Sequence, residues 1–187
     1  MMQQEKQREE EAIILDFLPN GYLNDRRPSH IKTPVAQAIG KNNLALLELV
    51  PRKGIFLQPY EEVYVGDQKR EKIHHVIGKI SVNKLTSTAQ AELEHVIKQI
   101  VHNNPDKYLE FFNKSQPLST RMHSLELLPG LGKKHMWEIV EERRGDPFLS
   151  LEDMKSRVKL IPDPEKLVVK RIIKELEGDE KHILFVR

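Results

Sequence analysis

The chain has 187 residues, 39% hydrophobic and 31% charged, a globular balance that excludes an intrinsically disordered polymer and allows one large domain or two small ones. Cysteine is absent, which excludes disulfides, thiolate nucleophiles and every cysteine-ligated zinc site. The net charge is only +2, so a nucleic-acid surface has to be a local basic patch.

The first eleven residues, MMQQEKQREEE, carry both charge signs, do not read as a secretory signal, and are expected to fray. No apolar run approaches the roughly 20 residues of a membrane-spanning helix, so a cytoplasmic location with no membrane partner is expected. Residues 12–86 read as strands. Ala12–Phe17 is a short apolar run ended by the turn cluster Pro19-Asn20-Gly21. Leu44–Val50 stops at Pro51, Glu62–Val65 ends at Gly66-Asp67, and Lys72–Leu85 alternates through Ile73, His75 and Ile77. Short strands at this spacing predict a small closed or half-closed β-barrel.

Residues 87–118 read as linking helices. Ser87-x-x-Gln90 has the form of a capping box, followed at helical spacing by Leu93, Val96, Ile97, Ile100 and Val101. Asn104-Pro105 restarts the chain as N-cap and first helical residue. Tyr108, Leu109, Phe111 and Phe112 form an apolar surface, expected to be glue between domains rather than a base-stacking platform.

From Ser119 to Gly178 the chain repeats a helix–turn–helix theme, leaving 179–187 as a tail. A first pair runs through "LLPGLGKKHMWEIV" to Arg144 and stops at Gly145-Asp146-Pro147. Ser150-x-x-Asp153 opens a second pair, which turns through Ile161–Lys166 and ends at Gly178. Leu128–Gly132 and Ile161–Glu165 are aligned as one duplicated turn, the second copy having lost both glycines. Apolar Ile183–Val186 is expected to pack back as a strand or to pair with another copy.

The first turn carries the chemistry. Gly130 and Gly132 are able to take φ > 0 and let the backbone approach a ligand with no Cβ in the way. The helix that follows starts near Lys133, so its free N–H groups and dipole point out of the turn, an arrangement that suits a phosphate. Lys133 and Lys134 add charge beside it. The second turn does not suit an anion, because Pro164 lacks an N–H and Asp163 and Glu165 repel one. Lys166, Lys170 and Arg171 are expected to be a solvated helix face.

This stretch resembles the helix-hairpin-helix motif: an apolar residue, Pro, then Gly-apolar-Gly before the second helix, as in Leu128–Gly132. The resemblance implies sequence-independent binding of a nucleic-acid backbone, with main-chain donors at Gly130 and Gly132 and Leu131 plugged into the hairpin's own core. Met136 departs from the small residue usual there. More widely, Arg70–Ile73, Phe111–Lys114, Thr120–Gly130 and Pro147-Phe148 resemble an uncharacterised family of archaeal type, described as predicted RNA-binding proteins. That resemblance, from about residue 10 onward, implies an α+β architecture: an N-terminal OB-like barrel followed by an all-α tandem helix-hairpin-helix domain.

An OB-like barrel implies single-stranded nucleic acid across its face. The first half offers Arg26, Arg27, Arg52, Lys53, Lys69, Arg70, Lys72 and Lys79, but few aromatics: Tyr22, Phe56, Tyr60 and Tyr64. It is therefore expected to be an electrostatic partner or scaffold. Arg121 and His123, just before the first hairpin, either extend the phosphate grip or tie the linker down. His74 and His75 are expected on opposite faces of a strand, and His95 and His102 find no further ligands, so no metal and no cofactor is expected.

The expected function is non-catalytic binding of nucleic acid, RNA favoured over DNA, through Gly130, Leu131, Gly132, Lys133, Lys134, Arg121, His123, Arg70 and Lys72. A protein-docking adaptor in a larger nucleoprotein complex is the alternative. A glycosylase/lyase with Lys134 as nucleophile and Asp153 as activating carboxylate is remote, because the strand-rich first half leaves too little helix for a base-flipping pocket.

Overall fold

The computed structural model describes residues 8–187; residues 1–7 of the segment expected to fray lie outside the described residues. The protein is mixed α+β, with a five-stranded antiparallel sheet curled into an open half-barrel and five α-helices among the described residues. The strands are β1 (Glu11–Leu18), β2 (Val35–Gly40), β3 (Leu46–Pro51), β4 (Glu62–Tyr64) and β5 (Ile73–Lys79), in the order β4-β1-β2-β3-β5. Every neighbouring pair is antiparallel, so β4 and β5 run in the same direction at the two edges.

The sheet closes over Ala12, Ile14, Ala36, Ala38, Leu47, Leu49, Val63 and Ile73. Strand β2 has no counterpart in the sequence reading, because Val35-Ala36-Gln37-Ala38-Ile39 is buried on both faces and shows no alternation. Its Gln37 is fully buried and satisfied: Nε2 donates to Tyr22 Oη (3.0 Å) and to the Lys84 carbonyl (2.9 Å), while Oε1 accepts from Thr86 N–H (2.8 Å). Residues 8–11 are structured. The Glu9 carboxylate is buried and accepts N–H bonds from Asn42, Asn43 and Ala45, closing the β2–β3 connection, and Glu11 opens β1.

Two further expectations are corrected. A bulge in β5, where Val50 pairs His75 and Pro51 pairs Ile73, leaves His74 extra. It turns His74 and His75 toward each other, with their Nδ1 atoms 2.8 Å apart, instead of onto opposite faces. The tail packs back, though not as a strand. The N–H groups of Leu184, Phe185 and Val186 all donate to the Glu175 carboxylate (2.8, 2.9 and 3.0 Å), and Phe185 is buried.

The helices are α1 (Ser87–His102), α2 (Pro105–Lys114), α3 (Lys133–Gly145), α4 (Leu151–Arg157) and α5 (Pro164–Glu177). The cap of α1 is Thr86 rather than Ser87: its Oγ1 accepts from Ala89 N–H at 3.1 Å. Ser150 caps α4 as expected, accepting from Asp153 N–H at 2.9 Å. In place of a long helix before the first turn there is a short ribbon, β6 (Pro117–Ser119) with β7 (Met122–His123), and a single 3-10 turn over Ser124–Leu127. Tyr108 and Phe112 are fully buried, which removes them as stacking surfaces, and burial pushes the Tyr108 hydroxyl up to about 12.

The chain divides into two compact units. The first runs to Val96 and takes in Glu175–Arg187; the second is Ile97–Lys174. The division falls inside α1 and near the end of α5, so the expected linking helices belong largely with the second unit and the tail with the first. No helix is long and apolar enough to cross a membrane among the described residues.

Candidate nucleic-acid interface

The first turn lies in the second unit. Leu128 N–H donates to the Leu125 carbonyl (3.1 Å) and Leu131 N–H to the Leu128 carbonyl (3.0 Å), which tightens the chain ahead of α3. Leu128 and Leu131 are buried at 1% and 6% exposure and anchor the turn from below, as the plug expected of Leu131 requires. Only one of the two glycines is left-handed: Gly130 has φ +99°, whereas Gly132, the α3 N-cap, is extended at φ −87° and ψ 173°. The roles therefore differ. Gly130 is needed for conformation, and a Cβ on it would sit 3.4 Å from the Leu167 side chain. Gly132 is needed for nothing inside the protein, since a Cβ there would meet no atom within 4 Å.

Without a side chain, Gly132 cannot cap α3. Among the described residues the N–H groups of Gly132, Lys133, Lys134 and His135 have no protein partner, and the first bond of the helix is Met136 N–H to the Gly132 carbonyl at 3.0 Å. Gly130, Gly132, Lys133 and Lys134 are all exposed. Lys133 makes no ion pair among the described residues, and Lys134 reaches Glu138 only at 3.9 Å. The result is an open positive helix end with two exposed cations beside it.

The second turn is built to the opposite rule. The Asp163 carboxylate accepts from Glu165 N–H (3.0 Å) and Lys166 N–H (3.2 Å), so α5 carries its own anion at its N-terminus. This corrects the alignment of the duplicate. Asp163, and not Glu165, stands where Gly132 stands. The left-handed position of the second turn is Leu160 (φ +58°), three residues before the cap instead of two. The second turn therefore also holds a left-handed residue, there a leucine and not a glycine.

His123 serves structure. It is 7% exposed, its Nδ1 accepts from Leu125 N–H (3.1 Å), and its own N–H donates to Glu126 Oε2 (2.7 Å), a capping box on the 3-10 turn. Burial, then the charge of Arg143, holds its pKa below the usual histidine range. Arg121 is exposed, with its backbone N–H donating to Ser119 Oγ at 3.2 Å. Asp153, the carboxylate considered for a lyase, accepts from Leu149 N–H (3.0 Å) and Arg157 Nη1 (3.3 Å).

Arg70 and Lys72 belong to the first unit, where both are engaged: Arg70 Nε donates to the Gly66 carbonyl at 2.7 Å, and Lys72 pairs with Glu61. Arg27 is paired with Asp25, Arg52 Nε donates to the Arg70 carbonyl, and Lys79 donates to the Arg187 carbonyl. Of the aromatics, Tyr22 and Tyr60 bond Glu48 and Glu92, and burial and Glu48 push the Tyr22 hydroxyl up to about 12. Phe56 is 76% exposed and meets Phe17 edge-on. Among the described residues no three His, Asp or Glu side chains converge on a metal position.

Two residues near the first turn escaped the sequence reading. Arg171 is not on a solvated face: it is 2% exposed, and its Nη1 donates to the Leu127 carbonyl (3.2 Å), tying the approach to the first turn onto α5. Trp137 is the other. It is 57% exposed on α3 and falls three and four residues after the lysine pair, a spacing the sequence displays openly.

Comparison with known proteins places these features in a family. The family described as "Protein of unknown function (DUF655)" matches residues 8–187. The uncharacterized protein MJ0038 of Methanocaldococcus jannaschii is 39% identical over 178 residues, 94% of this chain and 79% of that one. The crystal structure of Af1531 from Archaeoglobus fulgidus is 44% identical, with a TM-score of 0.88 over 96% of this chain and all of the other. A match running from Arg8 to the last residue, with relatives at these identities, means that the chain belongs to the DUF655 family.

Proposed function

We propose that this protein binds nucleic acid without catalysis, RNA in preference to DNA, and that it grips the phosphate backbone through the turn from Gly130 to Lys134. The observation that carries the reading is the contrast between its two turns. One helix start is capped by Asp163, while the other is left open by Gly132 with Lys133 and Lys134 exposed beside it. Main-chain donors bind a phosphate whatever base it carries, so the grip is independent of sequence. On this reading residues 124–145 and 151–177 are tandem helix-hairpin-helix motifs, the first with its leading helix reduced to a 3-10 turn. The half-barrel is OB-like and serves as scaffold, in keeping with the intramolecular partners of Arg70 and Lys72. Arg121, exposed before the turn, is the further cation available to the strand, and His123 only positions the turn.

Fluorescence anisotropy with labelled single-stranded and duplex RNA and DNA, at low and moderate salt, tests this. Binding is expected to weaken as salt rises, and Gly132→Ile with Lys133→Ala is expected to abolish it in a folded protein. Equal binding by that variant overturns the reading. One observation favours a docking adaptor as the second reading: Leu149 and Leu160 in the same unit stand 86% and 90% exposed. Salt-insensitive binding of a protein, with no binding of nucleic acid, would establish it.

A further inference from the structure

Trp137 is the only tryptophan in the chain. Helix α3 buries Met136 and Ile139, and its Arg143 donates to the Phe112 and Ser115 carbonyls, so the inward face of the helix is occupied without the indole. No aromatic or cationic side chain lies against the indole among the described residues. Leaving more than half of so large an apolar side chain in water has a cost.

The position of the indole is informative. Residues three and four apart are neighbours on a helix, which puts Trp137 directly behind Lys134 and Lys133. A helical side chain leans toward the N-terminus and covers the turn before its own Cα. This lean directs the indole toward the first turn of α3, on the side of Lys133 and Lys134. At about 1.5 Å rise per residue, Gly132 and Trp137 are separated by roughly 7–8 Å along the axis. That span is comparable with the reach from a backbone phosphate to the base it carries. Of the carboxylates nearby, Glu141 is held by Arg144 at 2.8 Å, and Glu138 lies 3.9 Å from Lys134.

We propose that Trp137 stacks on an unpaired base of the strand whose phosphate the start of α3 holds, which makes the ligand single-stranded nucleic acid rather than duplex. The proposal rests on the phosphate-grip reading and adds to it the class of strand. In a duplex the faces of the bases are covered by their neighbours, so the indole gains nothing there. In a single strand every base offers a face, and stacking tolerates any sequence, as the main-chain grip does.

The single tryptophan is its own reporter. The full chain is titrated with a mixed-sequence single-stranded RNA, the matching single-stranded DNA, their duplexes, and a single strand with abasic sites throughout, reading both Trp137 emission and anisotropy of the labelled strand. Single strands are expected to quench the emission and to bind more tightly than duplex, with the RNA and DNA arms identifying the preferred sugar. Trp137→Ala is expected to weaken single-strand binding about 5- to 150-fold, the equivalent of about 1–3 kcal/mol, and to leave abasic-strand binding unchanged. Trp137→Phe is expected to recover most of the loss. If Gly132→Ile weakens binding while Trp137→Ala leaves single-strand affinity unchanged, or duplex is preferred, stacking is overturned and the grip stands. If no strand binds, or Gly132→Ile is silent, both readings fall together.

Discussion

Replacing Gly130 and Gly132 one at a time by alanine separates conformation from recognition. At Gly130 the backbone sits at φ +99°, where an L side chain costs about 1–2 kcal/mol, and contact of the new Cβ with Leu167 at 3.4 Å adds little. At Gly132 the backbone is extended and the space is empty. There the modest loss in capping preference, a few tenths to ~1 kcal/mol, is offset by the ~0.4–1 kcal/mol gained from a less flexible unfolded chain. Urea unfolding followed by circular dichroism and by Trp137 emission reads the unit that holds both glycines. With a slope of about 1.5 kcal/mol/M, Gly130→Ala is expected to lower the midpoint by roughly 1 M and Gly132→Ala to leave it in place. Binding then gives the second half of the test, because a bulky side chain at Gly132 blocks the mouth of α3 without unfolding it. The reasoning is refuted if Gly132→Ala destabilises as much as Gly130→Ala, or if Gly130→Ala is silent.

Histidine 123 has a native pKa held below its unfolded value of about 6.5, so the unfolded chain takes up the proton more readily. Its contribution to stability is complete above that pH and declines as pH falls through the window below it. His123→Asn, which keeps an acceptor for Leu125 N–H, is expected to flatten the dependence of the urea midpoint between about pH 5 and 7.5. Arg171→Met removes the donor to the Leu127 carbonyl and is expected to cost about 1–3 kcal/mol, read as a lower thermal midpoint. Leu160→Gly relieves a left-handed residue whose side chain is 90% exposed, so it is expected to be neutral or slightly stabilising, unlike Leu→Gly at ordinary backbone angles. Lys133→Ala is expected to reduce the slope of log affinity against log salt by about 0.7 on a single strand, the share of one phosphate contact.

Much of the architecture was legible because it depends on local rules. Alternation and turn residues located β1, β3, β4 and β5, Asn104-Pro105 and Gly178 bounded their helices, and the Gly-Leu-Gly turn announced an open helix start. What escaped depends on partners far away in the chain. Strand β2 pairs on both sides and is buried on both faces, so Ala36, Gln37 and Ala38 carry no period. The cap of α1 went to Thr86 because its hydroxyl also donates to Asp16 at 2.6 Å, a partner 70 residues away. The bulge that turns His74 toward His75 is a matter of register with Val50 and Pro51, to which a strand read by itself is blind. Arg171 looked solvated because charged residues in an amphipathic helix usually are, and its burial goes with partners far away in the chain such as the Leu127 carbonyl. Trp137 was visible in the sequence, but whether a helical tryptophan faces the core is decided by what else fills that core.

The two turns begin their helices by different rules. Both require a left-handed residue shortly before the helix, and both meet the requirement, with Gly130 at no cost and with Leu160 against a steric penalty of about 1–2 kcal/mol. The deciding difference lies at the cap. An aspartate there brings a negative charge within reach of the N–H groups of the second and third helical residues, which satisfies them and repels any other anion. A glycine there leaves the same groups to solvent. A glycine cap weakens a helix by only a few tenths of a kcal/mol relative to a capping side chain, and Arg157 donates to the Asp146 carbonyl (2.8 Å) at the other end of α3. Stability alone would favour a capping side chain at both turns. Its absence at Gly132, beside two exposed lysines and an exposed tryptophan, is the feature on which the proposed phosphate grip rests.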